Sequence, residues 1–208
     1  MNDPELLRQK FAFLGPDLLE EVLTHSKYQE IPRDTEILKE GQYIKVIPLV
    51  IDGAIKVFTR FKEKELLLYY IRPDESCIMS FAASMKNEPS KVFAITEVDT
   101  QALLLPISKI ENWFNNYPKF NSLFFKLYNE RYIDMLDTIN HLLFNKLDQR
   151  VLTHLQEKEE ISGDKFIKTT HKQIANELGT AREVISRVVK KLEKEEKLTQ
   201  LSEGIKLL

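Results

Sequence analysis

Two short stretches of helical periodicity meet at a single glycine between Thr169 and Leu192, and few folds accept that arrangement. The segment reads Thr169-Thr170-His171-Lys172-Gln173-Ile174-Ala175-Asn176-Glu177-Leu178-Gly179-Thr180-Ala181-Arg182-Glu183-Val184-Ile185-Ser186-Arg187-Val188-Val189-Lys190-Lys191-Leu192. Thr170 is suited to cap a first helix whose inward face is Ile174, Ala175 and Leu178. Gly179 supplies the left-handed backbone that ends such a helix, and Thr180 is expected to cap the next one. In that second helix Val184, Ile185, Val188 and Leu192 recur at three-and-four spacing and must face a core. Arg182, Glu183, Ser186, Arg187 and Lys190 are left on the opposite, exposed stripe.

A short helix, a tight turn and a second helix with a polar outer stripe form a helix-turn-helix, whose second helix lies in the DNA major groove. The residue types suit that task. Arginine donates two parallel hydrogen bonds to guanine O6 and N7, and glutamate accepts from the cytosine amino group. Thr170, Lys172 and Lys190 are placed to reach flanking phosphates, which fix register without reading sequence. Leu198–Leu201 and Ile205–Leu208 flank Ser202-Glu203-Gly204, which predicts a hairpin, or wing.

The net charge of -2 hides a segregated distribution. Residues 149–208 hold 12 Lys/Arg against 10 Asp/Glu, a net +2, and residues 1–148 hold 18 against 22, a net -4. From Lys165 to Lys191 seven basic residues face two acidic ones, a local +5 that suits phosphate neutralisation.

The chain before this segment changes texture. From about Gln29 to Leu105 the signal is β: Lys45–Ile51, Ala54–Phe61, Leu66–Ile71 and Val92–Leu105 are rich in β-branched and aromatic residues, with turn-like pieces between them. Many short strands predict a sandwich or barrel. Pro4–Phe13 and Pro16–Ser26 read as short helices ahead of it. Ser108 with Glu111 has capping-box spacing for a helix that Pro118 interrupts or restarts. Beyond Pro118, Phe124, Tyr128, Tyr132, Met135, Ile139 and Leu142 recur at helical spacing, widened by Leu123, Leu127, Leu136 and Leu143. Such a helix buries one flank in its own domain and the other against something else, and periodicity alone fits an intradomain helix as well as a dimer interface. A polar break at Asn145–Asp148 precedes a helix over Gln149–Glu159.

Composition narrows the function classes. With 43% hydrophobic residues and few Gly and Pro the chain has ample apolar surface for a core. The single Cys77 excludes an intramolecular disulfide framework, a Cys-rich zinc site and a Cys-ligated iron–sulfur cluster. No stretch approaches the ~20 apolar residues of a membrane span, and the N-terminus lacks the pattern of a signal peptide, so no membrane contact and a cytoplasmic location are expected. No enzyme motif is present: no Gly-rich phosphate loop, no His-Glu-x-x-His and no nucleophile elbow.

Taken together the residues resemble the cyclic AMP receptor and fumarate-nitrate reductase regulator (Crp/Fnr) family of bacterial transcription factors. Ile174-Ala175, Leu178-Gly179, Arg182-Glu183 and Ser186-Arg187 carry the helix-turn-helix resemblance, and Val50–Val57 and Tyr70–Ser76 are similar to the family's cyclic-nucleotide-binding jelly roll. The resemblance implies an α+β chain: a jelly-roll sensor domain over 1–117, a dimerisation helix over 118–146 and a winged helix-turn-helix over 147–208. It further implies base reading by Arg182, Glu183, Ser186 and Arg187, and phosphate contacts from Thr170, Lys172, Thr180 and Lys190. The implied partners are double-stranded DNA bearing an inverted repeat, a second copy of the chain, RNA polymerase and an unknown small-molecule effector.

The sensor departs from the family pattern. Nucleotide-binding members carry a Gly-Glu pair for the ribose and, about ten residues on, an Arg followed by Ser or Thr for the phosphate. The corresponding positions here are Ile78-Met79 and Pro89-Ser90, of which only Ser90 fits, so an effector pocket would be built from Cys77, Met79, Ser80 and Ser90. Losing two charge-assisted contacts of about 1.5–3 kcal/mol each predicts poor cyclic nucleotide affinity, and an ammonium from Lys86 or Lys91 does not reproduce a guanidinium fork. No cofactor is predicted. Haem would have Cys77, His25, His141, His154 and His171 as candidate axial ligands. The alternative reading is a small-molecule or haem sensor module acting mainly through protein partners.

Overall fold

Residues 4–61, 64–144 and 146–208 are described in the computed structural model, with side chains described for 5–60, 65–136 and 146–208. Helices α1 (Pro4–Lys10) and α2 (Pro16–His25), with a 3-10 turn between them, lead into β1 (Lys27–Ile31), β2 (Glu36–Leu38), β3 (Val46–Asp52), β4 (Ile55–Phe61) and β5 (Lys64–Ile71). Then come α3 (Ile78–Lys86), β6 (Phe93–Thr96), β7 (Thr100–Pro106), α4 (Ile107–Asn116) and α5 (Pro118–Phe144). The chain forms two compact units, Met1–Val57 with Leu68–Asp134 and Phe58–Leu67 with Met135–Leu208.

The first unit is the expected β-rich body. One sheet has the order β1-β7-β3 and the other β2-β6-β4-β5, so strands distant in sequence are neighbours, as closing a sandwich requires. β3 carries five consecutive buried residues between exposed ends, the mark of a strand covered on both faces. The predicted strand Val92–Leu105 is two strands split at the turn before Thr100. Ser108 does not cap α4: the helix starts one residue earlier, after Pro106, with no side-chain cap. Its anchor is instead apolar. Trp113 is fully buried and stacks edge-on with Phe120, which meets Phe81 and Phe114 in the same way.

That cluster explains a correction on the long helix. Phe124, expected on the partner-facing seam, packs edge-on against Phe81 and Phe114 of its own unit, alongside buried Leu123 and Leu127. The exposed flank is Phe125, Tyr128, Tyr132, Ile133, Met135 and Leu136. Ile139, Leu142 and Leu143 have side chains outside the described residues.

In the second unit α6 (Leu147–Ser162), β8 (Phe166–Ile167), α7 (His171–Glu177) and α8 (Arg182–Lys194) precede β9 (Leu198–Leu201) and β10 (Gly204–Leu207). The predicted wing is there, with Gly204 opposite Leu201 in an antiparallel hairpin, and it gains a third strand because β8 pairs with β10. A glycine is needed at that junction, since a Cβ on Gly204 would lie 2.3 Å from the Ile167 carbonyl oxygen. The core joins Val151 and Leu155 of α6, Ile174 and Ala175 of α7, and Ile185, Val189 and Leu192 of α8 to the hairpin.

Candidate nucleic-acid interface

Thr170 caps α7 by the full reciprocal arrangement. Its hydroxyl accepts from the Gln173 N–H at 3.2 Å and the Gln173 side-chain oxygen accepts from the Thr170 N–H at 2.8 Å. The helix ends at Leu178, and Gly179 turns the chain at φ +66°, where any Cβ is strained. The cap of α8 is not where the sequence put it. Ala181 occupies the N-cap with no side-chain bond, and half-buried Thr180 uses its backbone N–H on the Ala175 carbonyl at 2.8 Å. The first-turn Glu183 and last-turn Lys191 and Lys194 instead complement the helix dipole.

The inward face of α8 is Ile185, Val189 and Leu192, fully buried, while Val184 and Val188 are only half-buried. Val189 was the core residue that the spacing of Val184 and Val188 concealed. This rotation leaves Arg182, Glu183, Arg187 and Lys190 exposed on one stripe, with Lys172 exposed on α7. Ser186 is different. Its half-buried hydroxyl donates to the Arg182 carbonyl at 3.0 Å and lies 2.9 Å from His171 Nδ1, so α7 and α8 are tied at the base of the stripe. Lys191 turns away and pairs with Asp148 at the start of α6. That contact pulls the Asp148 carboxyl below its ordinary range and pushes the Lys191 ammonium up.

Sequence reasoning missed what holds α7 in place. Arg150, His154 and Lys158 are spaced four apart on α6 and all reach the end of α7. Arg150 donates to the Leu178 carbonyl at 2.9 Å, and His154 Nε2 and Lys158 Nζ lie 2.9 and 3.4 Å from Glu177 Oε2. All three members of the His154–Glu177–Lys158 cluster are buried, and burial also lowers the Arg150 pKa. The available signal was the periodicity of α6: His154 and Lys158 share a face with Val151 and Leu155, so two ionisable groups needed a buried partner.

Two of the four predicted effector residues, Cys77 and Ser80, line one cavity, and Met79 and Ser90 do not. In the first unit a cavity of about 70 Å³ is lined by Ile37, Leu38, Tyr43, Ile44, Cys77 and Ser80 among others, but not by Met79 or Ser90. Met79 packs against the core, and Ser90 is consumed by its own loop, donating to the Val92 carbonyl at 2.8 Å and accepting from the Val92 N–H at 3.1 Å. That volume is far below the ~300 Å³ at which ligand sites begin. Of the haem candidates, His154 and His171 are hydrogen-bonded as above and His25 is 3.6 Å from Glu21, while His141 has its side chain outside the described residues. Among the described residues no helix is long and apolar enough to cross a membrane.

Residues 149–208 match the family model described as a Crp-like helix-turn-helix domain. No curated protein matches the chain. Among solved structures, a regulator of the Crp/Fnr family from Eubacterium rectale is 23% identical with a TM-score of 0.83, covering 95% of this chain and 92% of that one. The c-di-GMP responsive global regulator CLP of Xanthomonas campestris is 18% identical with a TM-score of 0.77 over 91% and 97% of the two chains. A Crp/Fnr-family transcriptional regulator of Thermus thermophilus is 20% identical, TM-score 0.75, over 88% and 93%.

Proposed function

We propose that this protein, whose residues 149–208 match a Crp-like helix-turn-helix model, is a sequence-specific transcriptional regulator of the Crp/Fnr type that binds an inverted-repeat operator as a homodimer. One observation carries the reading: α8 is anchored by Ile185, Val189 and Leu192 and presents Arg182, Glu183 and Arg187 to solvent on a single stripe. Arg182 and Arg187 suit guanine and Glu183 suits cytosine, with Thr170, Lys172, Thr180 and Lys190 near enough in sequence to hold phosphates. The exposed aromatic flank of α5 supports self-association, because six large apolar side chains in one stretch of helix exceed what a solvated helix usually leaves bare. Two recognition helices would then address half-sites about 34 Å apart.

The sensor unit works without the cyclic AMP constellation in this reading. The small cavity at Cys77 and Ser80, and a Ser90 already spent on its own loop, support an effector unlike a cyclic nucleotide. The effector would act by population shift, biasing how α5 pairs and so how the recognition helices are spaced. In this reading the protein acts in the cytoplasm, with double-stranded DNA and RNA polymerase as its partners.

Selection of bound DNA from a random pool tests the proposal. A palindromic consensus is expected, with Arg182→Ala and Arg187→Ala each losing about 1–3 kcal/mol on it and relaxing the preference at one position per half-site. Enrichment without sequence preference, or variants that bind the consensus as tightly as the natural chain, would overturn it.

A further inference from the structure

We propose that Arg131 is a positioning residue that carries the state of the Cys77 cavity to the exposed flank of α5. The inference deepens the population-shift reading above and rests on it for the pairing of two copies along that flank.

Among the described residues none of α5 lines the cavity, so the helix does not feel its contents by touch. Three contacts on one guanidinium join the two instead. Arg131 donates to the Tyr70 carbonyl at 3.2 Å, lies 4.7 Å over the Tyr69 ring and pairs with Glu75 at 3.0 Å. Each of these points is beside the cavity wall in the chain. Ile71 follows Tyr70 directly and Cys77 is two residues past Glu75, and both line the cavity. Tyr69 adds a shorter route, since its hydroxyl lies 3.8 Å from Cys77 Sγ and bonds the Met79 backbone. Burial pushes this phenol well above its ordinary value, so the hydroxyl keeps its proton at neutral pH. Cys77 is the N-cap of α3 and makes no side-chain cap bond, so Tyr69 is what holds the start of that helix against β5.

At its other end Arg131 is locked to its own helix. Asp134 meets the guanidinium at 2.8 Å, and the arginine side chain is only 14% exposed. Tyr128 and Tyr132, 57% and 48% exposed, stand one turn before Arg131 and directly after it on the bare flank. A planar fork bonded on both sides passes on a displacement that a flexible contact would absorb. A change in the cavity that moves Ile71 and Cys77 therefore shifts Tyr69, Tyr70 and Glu75 together. The guanidinium follows them, and α5 presents its two tyrosines at a new angle.

The experiment needs no ligand, because Ala94 on β6 lines the cavity and Ala94→Val fills part of it. Sedimentation of the full chain gives the dimer dissociation constant with and without Ala94→Val in three backgrounds. These are the natural sequence, Arg131→Met, and Tyr69→Phe, which keeps the ring under the guanidinium and loses only the link to Cys77. In the natural background the filled cavity should change the constant about fivefold or more. In Arg131→Met the same change should fall below about twofold, and Tyr69→Phe should diminish it. Should Arg131→Met not fold, Tyr69→Phe decides alone. A response undiminished in these backgrounds overturns the role of Arg131 and sends the signal through Phe81 and Phe124, the other contact between α3 and α5. A dimeric natural chain indifferent to Ala94→Val overturns this inference and leaves the homodimer standing. A natural chain that stays monomeric overturns both readings together.

Discussion

Glu75 and Arg131 stand 3.0 Å apart, one in the loop after β5 and the other on the long helix α5. The same guanidinium donates to the Tyr70 carbonyl at 3.2 Å, meets Asp134 at 2.8 Å and lies 4.7 Å over the Tyr69 ring. Tyr69 in turn reaches Cys77 at the cavity wall, 3.8 Å from hydroxyl to sulfur. A single side chain thus joins the end of β5 and its following loop to α5. Arg131→Met should cost about 1–3 kcal/mol, because it takes the charged partner from a largely buried carboxylate and a donor from a backbone carbonyl. Urea unfolding followed by circular dichroism measures the loss, and an unchanged midpoint would contradict it.

Burial raises the Glu75 carboxyl above its ordinary 4.5, outweighing the Arg72 N–H and the Arg131 charge that pull it down. The folded chain therefore takes up this proton at a pH where the unfolded chain has lost it. The stability from this site is complete below 4.5 and is lost as pH rises through the raised value. Glu75→Gln does not titrate, so its stability relative to the natural chain should climb across that window and level off above it. Parallel curves between about pH 4 and 8 would rule this out.

The buried cluster in the second unit makes a different prediction. Glu177→Ala leaves His154 and Lys158 facing each other without their anion and should cost about 3–5 kcal/mol. Replacing all three by apolar residues of similar volume should be far milder, neutral to stabilising, as for other desolvated ion clusters. Calorimetry on the single and triple variants separates the two outcomes.

Thr170→Ala removes one half of a reciprocal cap and should destabilise α7 by about 1 kcal/mol. Gln173→Ala removes the other bond, whose donor is the Thr170 backbone N–H that alanine at 170 retains, so the two losses should be close to additive. Hydrogen exchange at the first amides of α7 reads the effect directly, and no loss of protection in either single variant would refute the cap.

Legibility in the sequence followed the range of the interaction. The cap at Thr170, the turn at Gly179, the wing and the start of α5 at Pro118 are local events, written in spacing and backbone preference, and all are found where the sequence put them. The errors share another origin. Thr180 and Ser108 have capping chemistry but the helices start beside them, because packing fixed the ends first. Phe124 has the right period for the outer seam, yet a pocket between Phe81 and Phe114 claims it. Ser90 and Met79 hold the positions of a nucleotide site in the sequence, but a loop's own hydrogen bonds and the core use them instead. The His171–Ser186 and His154–Glu177 contacts join residues 15 and 23 apart, a pairing that no single period encodes.

The lone cysteine gives this molecule a built-in clock. Cys77 is the chain's one sulfhydryl and is 1% exposed, so a water-borne alkylating reagent attacks it only during moments when the first unit opens. The second unit has no thiol and stays silent in such an assay. Labelling rates therefore time the opening of the first unit by itself, without DNA being present, and a compound that held this unit closed would slow the reaction.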